Sequence, residues 1–359
     1  LWRLPLKKLE KLRNSLSERG IDALIVLDEL NQRYLSDFAF TDGFLLITQK
    51  NAYLVTDFRY YEMAQKAASA DFEILMPKDR RSFIDEALTK DLVKTLGFEG
   101  GSISYATKMK YSAEHPAFEF VDVSDMIEGL RQIKSDAEIE KMQRAQDITD
   151  AAFSHVLKML NPNMTELEVA VELEYAMRKL GADGFAFETI AVSGDASALP
   201  HGTPRNVKLK RGFLTMDFGA KFDGYCSDMT RTVVIGRATD EERALYNTVL
   251  SAQLAAIQYL KEGVDCSLAD KAARDIIDEN YKGTFGHSLG HSVGLFVHET
   301  PVLSPKASGR LTRAGEIFTV EPGIYLSGKY GCRIEDMVAV LEDGILNFTH
   351  SPKELIEIC

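Results

Sequence analysis

The stretch Phe213–Gly236, FLTMDFGAKFDGYCSDMTRTVVIG, decides how the rest of the chain is read. Asp223-Gly224 at its middle is a two-residue hairpin signal, because both central positions of a type I′ turn need positive φ. With that dipeptide as the turn, Phe222 faces Tyr225, paired positions sum to 447, and Asp217 lies opposite Thr230. Asp217 and Asp228 then become diagonal neighbours on one face, roughly 7–8 Å apart at the backbone. Two carboxylates closing on one hairpin raise the question of what neutralises them.

A second hairpin sharpens the question. In Phe318–Val340, FTVEPGIYLSGKYGCRIEDMVAV, a turn at Ser327-Gly328-Lys329 makes paired positions sum to 656 and sets Glu321 opposite Glu335. Pro322-Gly323 threatens that register, so the expectation is a shared face rather than a distance. Glu321 follows Asp217 by 104 positions, and Glu335 follows Asp228 by 107.

The helices ahead of each hairpin repeat at a similar offset. Ser135-x-x-Glu138 is a capping box opening a stripe of Ile139, Met142, Thr149, Ala152, Val156 and Leu160, and Thr165-x-x-Glu168 opens a second helix ended by Gly181. Thr239-x-x-Glu242 opens another, with Leu245, Val249, Ala252, Ala256 and Tyr259 on one face. Ser267-x-x-Asp270 resembles a fourth cap, and these two boxes follow the first two by 104 and 102 positions. The spacing implies a helix–helix–hairpin unit present twice, with a pseudo-twofold bringing the hairpins together. Four convergent carboxylates repel by several kcal/mol in a partly buried site unless cations neutralise them. Oxygen-rich sites with an imidazole suit Mn²⁺, Co²⁺ or Zn²⁺, and two ions roughly 3.5–4 Å apart share bridging carboxylates.

Phe285–Glu299, FGHSLGHSVGLFVHE, carries two overlapping G-x-S-x-G matches. A nucleophile elbow needs a strand before the serine and a helix after it. Here the order is reversed, a helix end before and a strand-like VGLFVHE after. His287 and His291 have the four-residue spacing of a helical zinc pair, but Gly286, Gly290 and Gly294 oppose a helix. H-E-x-x-H also fails, since position 302 is valine. Asp217-Phe218-Gly219 mimics a kinase triplet, yet the chain has no G-x-G and no H-R-D, which excludes both a kinase and a Rossmann dinucleotide site.

With 359 residues, 45% hydrophobic and 27% charged, the chain is long enough for two domains and has a globular composition. The net charge of −12 argues against a nucleic-acid partner, because Lys208–Arg211 (KLKR) is the longest basic cluster. No apolar run is long enough to span a membrane, and the start, LWRLPLKKLEKLRNSLSERG, reads as an amphipathic helix rather than a signal peptide. Cys226, Cys266, Cys332 and Cys359 form no metal or disulfide pattern, and a cytoplasmic setting is expected. Residues 1 to about 125 alternate strands (22–27, 44–48, 53–57, 72–76 and SISYA, 102–106) with helices near 59–69 and 81–96, and Gln49-Lys50-Asn51 turns between the second and third strands. That pattern is an α/β domain with a mixed sheet.

The motifs MDFGA…DGYCSDMTRT, GHSLGHSVGLFVHE, TVEPGIY and CRIEDMVAV, in this order, resemble the pita-bread metallopeptidases, in the branch of aminopeptidase P and prolidase. The first domain, with NQRYLSDF and TDFRYYEMA, is similar to the creatinase-type domain of that branch. The resemblance implies an α+β chain: a creatinase-type α/β domain over 1–126, then a pita-bread catalytic domain with internal pseudo-twofold over 127–359. It implies five ligands for two divalent metal ions, Mn²⁺ first. Asp217 would hold one ion, His291 and Glu321 the other, and Asp228 and Glu335 would bridge.

The resemblance also implies that His201 and His298 face the substrate, that Arg333 orients the carboxylates, and that Glu321 shuttles a proton. His287 carries no assignment. The implied substrates are short peptides with proline at the second position, cleaved by a homodimer. Some family members place an arginine after H-E-x-P; Val302 stands there, which tilts the expectation toward Xaa-Pro aminopeptidase over Xaa-Pro dipeptidase.

Overall fold

A computed structural model describes residues 7–359. Two compact units form, the first ending at Arg131 and the second running from Gln132 to Cys359, whereas the expected boundary at 126/127 falls inside a helix.

The first unit is a six-stranded mixed sheet. Its elements are α1 (Lys8–Glu18), β1 (Ala23–Val26), α2 (Glu29–Ser36), β2 (Phe44–Thr48), β3 (Ala52–Val55), α3 (Tyr61–Ala67), β4 (Glu73–Leu75), α4 (Arg80–Lys90), β5 (Thr95–Phe98), α5 (Tyr105–Glu114), β6 (Glu119–Asp122) and α6 (Ser124–Arg131). The spatial order is β4-β3-β2-β1-β5-β6, with β1 antiparallel to β2 and parallel to β5. Leu9, Leu12 and Leu16 form the buried face of α1; Leu1–Leu6 of the expected first helix lie outside the described residues.

Two expectations fail in this unit. The helix expected to reach residue 96 stops at Lys90, because Leu92 turns left-handed with φ of 60° and the chain re-enters as β5. SISYA is not a strand: Ser104 accepts from the Thr107 amide and caps α5. α2, α5 and β6 were not anticipated from the pattern of apolar residues.

The second unit contains α7 (Asp136–Met159), α8 (Glu166–Lys179), β7 (Gly184–Phe185), β8 (Ile190–Ser193), β9 (Gly212–Phe218), β10 (Ala220–Phe222), β11 (Tyr225–Cys226) and β12 (Met229–Ile235). Then come α9 (Asp240–Tyr259), α10 (Cys266–Tyr281), β13 (Gly290–Ser292), β14 (Glu299–Leu303), β15 (Ile317–Val320), β16 (Gly323–Leu326), β17 (Tyr330–Arg333), β18 (Asp336–Leu341), β19 (Gly344–Asn347) and β20 (Glu357–Ile358). The repeat is visible in the packing. α7 and α8 bury Phe153, Val156, Val169 and Leu173 against the sheet β20-β12-β9-β8, and α9 and α10 bury Leu245, Val249, Ala273 and Ile277 against β14-β13-β15-β18-β19.

Capping boxes open α7, α8 and α9 as their sequences predict. α10 differs: Asp265 is the cap, accepting from the Ser267 amide, and Ser267 lies inside the helix. Asp270 is freed for another task, accepting from the amide of Leu289 at 2.9 Å and from Arg274 at 2.7 Å. Arg274 in turn donates to the carbonyls of Phe285 and His287, so α10 clamps the glycine-rich loop ahead of β13.

Among the described residues no helix is long and apolar enough to cross a membrane. All four cysteines are free, with Cys226, Cys266 and Cys332 buried.

Candidate metal centre

Each hairpin divides between two sheets, and the carboxylates sit at the division. In the first, Asp223 and Gly224 have φ of 46° and 78°, Phe222 pairs with Tyr225, and Asp217 pairs with Thr230. The inner pair β10/β11 joins one sheet and the outer pair β9/β12 another, with Asp217 near the end of β9 and Asp228 just before β12.

The second hairpin repeats this. Gly323 pairs with Arg333 on the inner side and Val320 with Asp336 on the outer side, so the register of 656 survives Pro322. Glu321 and Glu335 occupy the gap between the two sheets, where no ladder bond competes for them. The hairpins are stitched to each other there: the Glu335 amide donates to the Thr230 carbonyl at 3.1 Å, and Thr230 Oγ1 donates to Glu335 Oε2 at 2.6 Å. Arg231, fully buried, pairs with Asp336 at 2.9 Å and donates to the Glu335 carbonyl.

His291 enters from β13. Donor atoms of Asp228, His291 and Glu335 all lie within 4.8 Å of one another. His291 Nε2 stands 3.4 Å from Glu321 Oε1 and 3.7 Å from Asp228 Oδ2. Its Nδ1 lies 3.2 Å from the Ser292 carbonyl, which only accepts, so that nitrogen carries the proton and Nε2 keeps its lone pair facing the carboxylates. Thr319 fixes both neighbours, accepting from the His291 amide at 3.0 Å and donating to Glu321 at 3.1 Å.

Asp217 stands apart from that triad. Its Oδ2 accepts from Arg333 Nη2 at 2.5 Å, while Oδ1 is buried with no hydrogen-bond partner. Arg333 also donates from Nε to Thr230 at 3.0 Å and from Nη1 to the Tyr325 hydroxyl at 2.7 Å. The Tyr325 hydroxyl contacts His287 Nε2 at 3.0 Å, and His287 Nδ1 donates to the Ser288 carbonyl at 2.9 Å. The chain Arg333–Tyr325–His287 therefore runs donor to acceptor from the guanidinium to the imidazole, which leaves His287 neutral on the lining of the cavity.

Electrostatics follow from burial. Desolvation, then repulsion from Asp217 and Glu321, lifts the Asp228 carboxyl well above its ordinary range. Desolvation and the Asp228 charge do the same to Glu335, and Glu321 is pushed up to about 8, mainly by burial. Burial pushes His291 down to about 4. His298 is lowered too, by desolvation first and then by nearby His201.

This donor set fits divalent cations. Three buried carboxyls whose charged forms burial disfavours, an imidazole presenting a lone pair, and a buried Asp217 oxygen with no protein partner are donors that divalent cations would satisfy.

The surrounding cavity holds about 550 Å³ and is lined by Asp217, Asp228, His291, Glu321, Glu335 and Arg333, with His201, His298 and Val302 on its walls. The His291 and His298 rings are 4.5 Å apart between centroids. Ser288 and Ser292 are no elbow: helix α10 precedes them and strand β13 contains Ser292. The sequence reading places Thr230 opposite Asp217 but gives it no part in the site, and Thr319 and Tyr325 escape it. Thr230 and Thr319 stand two residues from Asp228 and Glu321, and Tyr325 four from Glu321, and that period of two was the available signal.

The chain matches the model of metallopeptidase family M24 over residues 140–342 and that of the creatinase/prolidase N-terminal domain over residues 8–133. It is 36% identical over 355 residues to an Xaa-Pro dipeptidase of Pyrococcus furiosus, covering 98% of this chain and 99% of that protein. The solved structure of an Xaa-Pro dipeptidase from Bacillus anthracis superposes with a TM-score of 0.93 at 41% identity, over 98% of this chain and 99% of the other. That of an X-Pro aminopeptidase from Thermotoga maritima superposes with a TM-score of 0.90 at 37% identity, over 95% and 99%. Dipeptidase names predominate among these three, against the tilt that Val302 gave to the sequence reading.

Proposed function

The chain belongs to metallopeptidase family M24, a creatinase-type α/β domain followed by an α+β pita-bread domain, and on that premise we propose that it hydrolyses Xaa-Pro bonds with two divalent metal ions. The observation that carries the reading is the convergence of Asp217, Asp228, Glu321, Glu335 and His291 on one cavity. These five would hold the ions, Mn²⁺ first and Co²⁺ or Zn²⁺ as alternatives. When bound, such ions supply Lewis acidity, acidifying a water and polarising a carbonyl oxygen.

The protein's own groups do the rest. Glu321, held by the Thr319 hydroxyl, would take the proton that the attacking water loses and pass it to the leaving nitrogen. His298 is held toward its neutral form and would donate its ring N–H to the oxygen that gains charge in the transition state. His201, on the same wall, would contact the substrate near the proline nitrogen. Arg333 orients Asp217 through its bond to Oδ2.

An Xaa-Pro bond carries no N–H, so a peptidase that binds that hydrogen loses a contact. A site built from metal ligands and histidines does not depend on it. The acidic cluster would also receive a free N-terminal amine, which limits cleavage to one residue from the end.

The names of the relatives favour Xaa-Pro dipeptides as substrates. A second reading, Xaa-Pro aminopeptidase, rests on Val302: a dipeptide's carboxylate sits beside the bond being cut, and among the described residues the cavity lining offers it no lysine and only Arg333, already bound to Asp217. The proposed assembly is a cytoplasmic homodimer, which light scattering on the purified protein checks.

The deciding assay gives Mn²⁺-loaded protein an Xaa-Pro dipeptide and an Xaa-Pro-Yaa tripeptide. Dipeptide-only cleavage supports the first reading and tripeptide cleavage the second. Cleavage of neither sinks the proline specificity.

A further inference from the structure

Lys134 is a buried lysine that no step of the proposed chemistry uses. Its side chain is 1% exposed, and Nζ lies 3.1 Å from Ser292 Oγ and 3.4 Å from Glu299 Oε2. The backbone beneath it is fixed on both sides. The Lys134 amide donates to the Gly315 carbonyl at 2.9 Å, and Ser135, next in the chain, is the first residue of the capping box that opens α7. The ammonium is therefore delivered to one place by a rigid stem.

Its two partners bracket a particular segment. Ser292 follows His291, Glu299 follows His298, and the two pair across β13 and β14, where the register shifts. Between them residues 293–298 form an irregular bend outside any strand. Glu299 Oε1 accepts from the Phe296 amide at 3.1 Å, the Cys226 amide donates to the Gly294 carbonyl at 2.8 Å, and a Cβ at Gly294 would come within 2.6 Å of Glu299 Oε2. The bend is thus built around the Glu299 carboxylate.

A carboxylate with 8% side-chain exposure needs a cation, and Lys134 is one placed to hold it. His298 is the cavity histidine carried on this bend, whereas His291 sits on a strand.

We propose that Lys134 is a positioning residue, whose ammonium locks Ser292 to Glu299 and so holds the 293–298 bend with the His298 imidazole against the metal ligand His291. The proposal rests on the role given to His298 above. A lysine suits it because one compact ammonium reaches both a hydroxyl and a carboxylate.

The test compares Lys134→Met, Lys134→Arg and Gly294→Ala in the full Mn²⁺-loaded protein, each also in a His298→Ala background. Lys134→Met should lower kcat on the cleaved Xaa-Pro peptide by about 10–100-fold, the usual effect of removing a group behind a metal site. Lys134→Arg, which keeps the charge but not the compact ammonium, should recover only part of the loss. Gly294→Ala, which displaces Glu299 without touching Lys134, should reproduce the loss and decides the matter if Lys134→Met does not fold. In the His298→Ala background neither variant should cost more than about twofold, since a residue acting through His298 has nothing left to position. Equal losses in both backgrounds, or no loss in either, overturn the proposal.

Amide hydrogen exchange gives an arm that needs no substrate: residues 293–298 should exchange faster in Lys134→Met, with 136–159 unchanged. Unaltered exchange of the bend overturns the proposal too. A wild-type protein that binds metal but cleaves no Xaa-Pro peptide would sink the substrate reading alone and leave the exchange arm to decide.

Discussion

Glu335 is where the two hairpins meet, bonded to Thr230 through both its amide and its carboxylate and close to Asp228 and His291. Replacing it with alanine should abolish peptidase activity and lower the bound metal measured by elemental analysis; full activity with unchanged metal would falsify the site. Titration gives a second prediction. Glu321 sits near 8 in the metal-free fold against an ordinary 4.5, so its contribution is complete below about 4.5 and is lost as pH rises through about 8. The buried histidines run the other way: His287 and His291, pushed to about 4 from 6.5, lose stability only as pH falls below that ordinary value. From about pH 7 to about pH 8.5 the raised carboxyls set the direction, and the buried Cys266 and Cys332 thiols, raised from 9.0, add to it at the upper end. The thermal midpoint of chelator-treated protein should fall across that window, and Glu321→Gln should flatten the fall. A midpoint that rises in both proteins would remove the carboxyls as its cause. The acidic residues were legible because each belongs to a hairpin whose turn signal fixes the register. Arg231, Lys134 and Tyr325 were not, because a buried cation or hydroxyl is defined by partners about 100 or more residues away or across a turn.

The strands, more than the helices, carry the precision of the centre. Both registers could be read in advance because Asp223-Gly224 and Ser327-Gly328-Lys329 fix the pairing at the tip, and period-two burial penalises any slip. The division of each hairpin between two sheets could not be read, since nothing local distinguishes a strand that changes partners from one that continues. Helix ends fared unevenly for a similar reason. A serine two residues inside α10 imitates a cap, and only the Asp265 contact reveals the true one. Short apolar runs such as SISYA fit a strand or a helix start equally well until capping decides. The splits demand close backbone approach, and two glycines supply it. A Cβ at Gly219 would lie 2.0 Å from the Ser227 carbonyl oxygen, and one at Gly290 would lie 1.9 Å from that of Thr319. Backbone cannot yield as a flexible side chain can, so Gly219→Ala and Gly290→Ala should each cost about 3 kcal/mol, the upper end of overpacking penalties, in urea unfolding. Midpoints within error of wild type would mean that the sheets part more loosely than drawn.

At the scale of the molecule, the duplication leaves each half with an incomplete site. Of the five proposed ligands, the α7–α8 half carries Asp217 and Asp228 and the α9–α10 half carries His291, Glu321 and Glu335. The seam between the halves already holds the Arg231–Asp336 pair and the Thr230–Glu335 bonds, but it also forces the acidic groups together. Metal ions turn that repulsion into attraction, so their binding should act as a cross-link between the halves rather than as a local ornament. A ligand that binds only the folded state stabilises it by about 2.7 kcal/mol at a free concentration 100 times its Kd. Mn²⁺ at that concentration should therefore raise the thermal midpoint of the full chain by several degrees over chelator-treated protein. Asp228→Asn, from one half, and Glu335→Gln, from the other, should each remove most of that rise. The two losses should not add, because either variant alone leaves the cross-link with one end. If Asp228→Asn abolished the rise while Glu335→Gln left it whole, the ions would belong to one half and the pseudo-twofold would have no part in holding them.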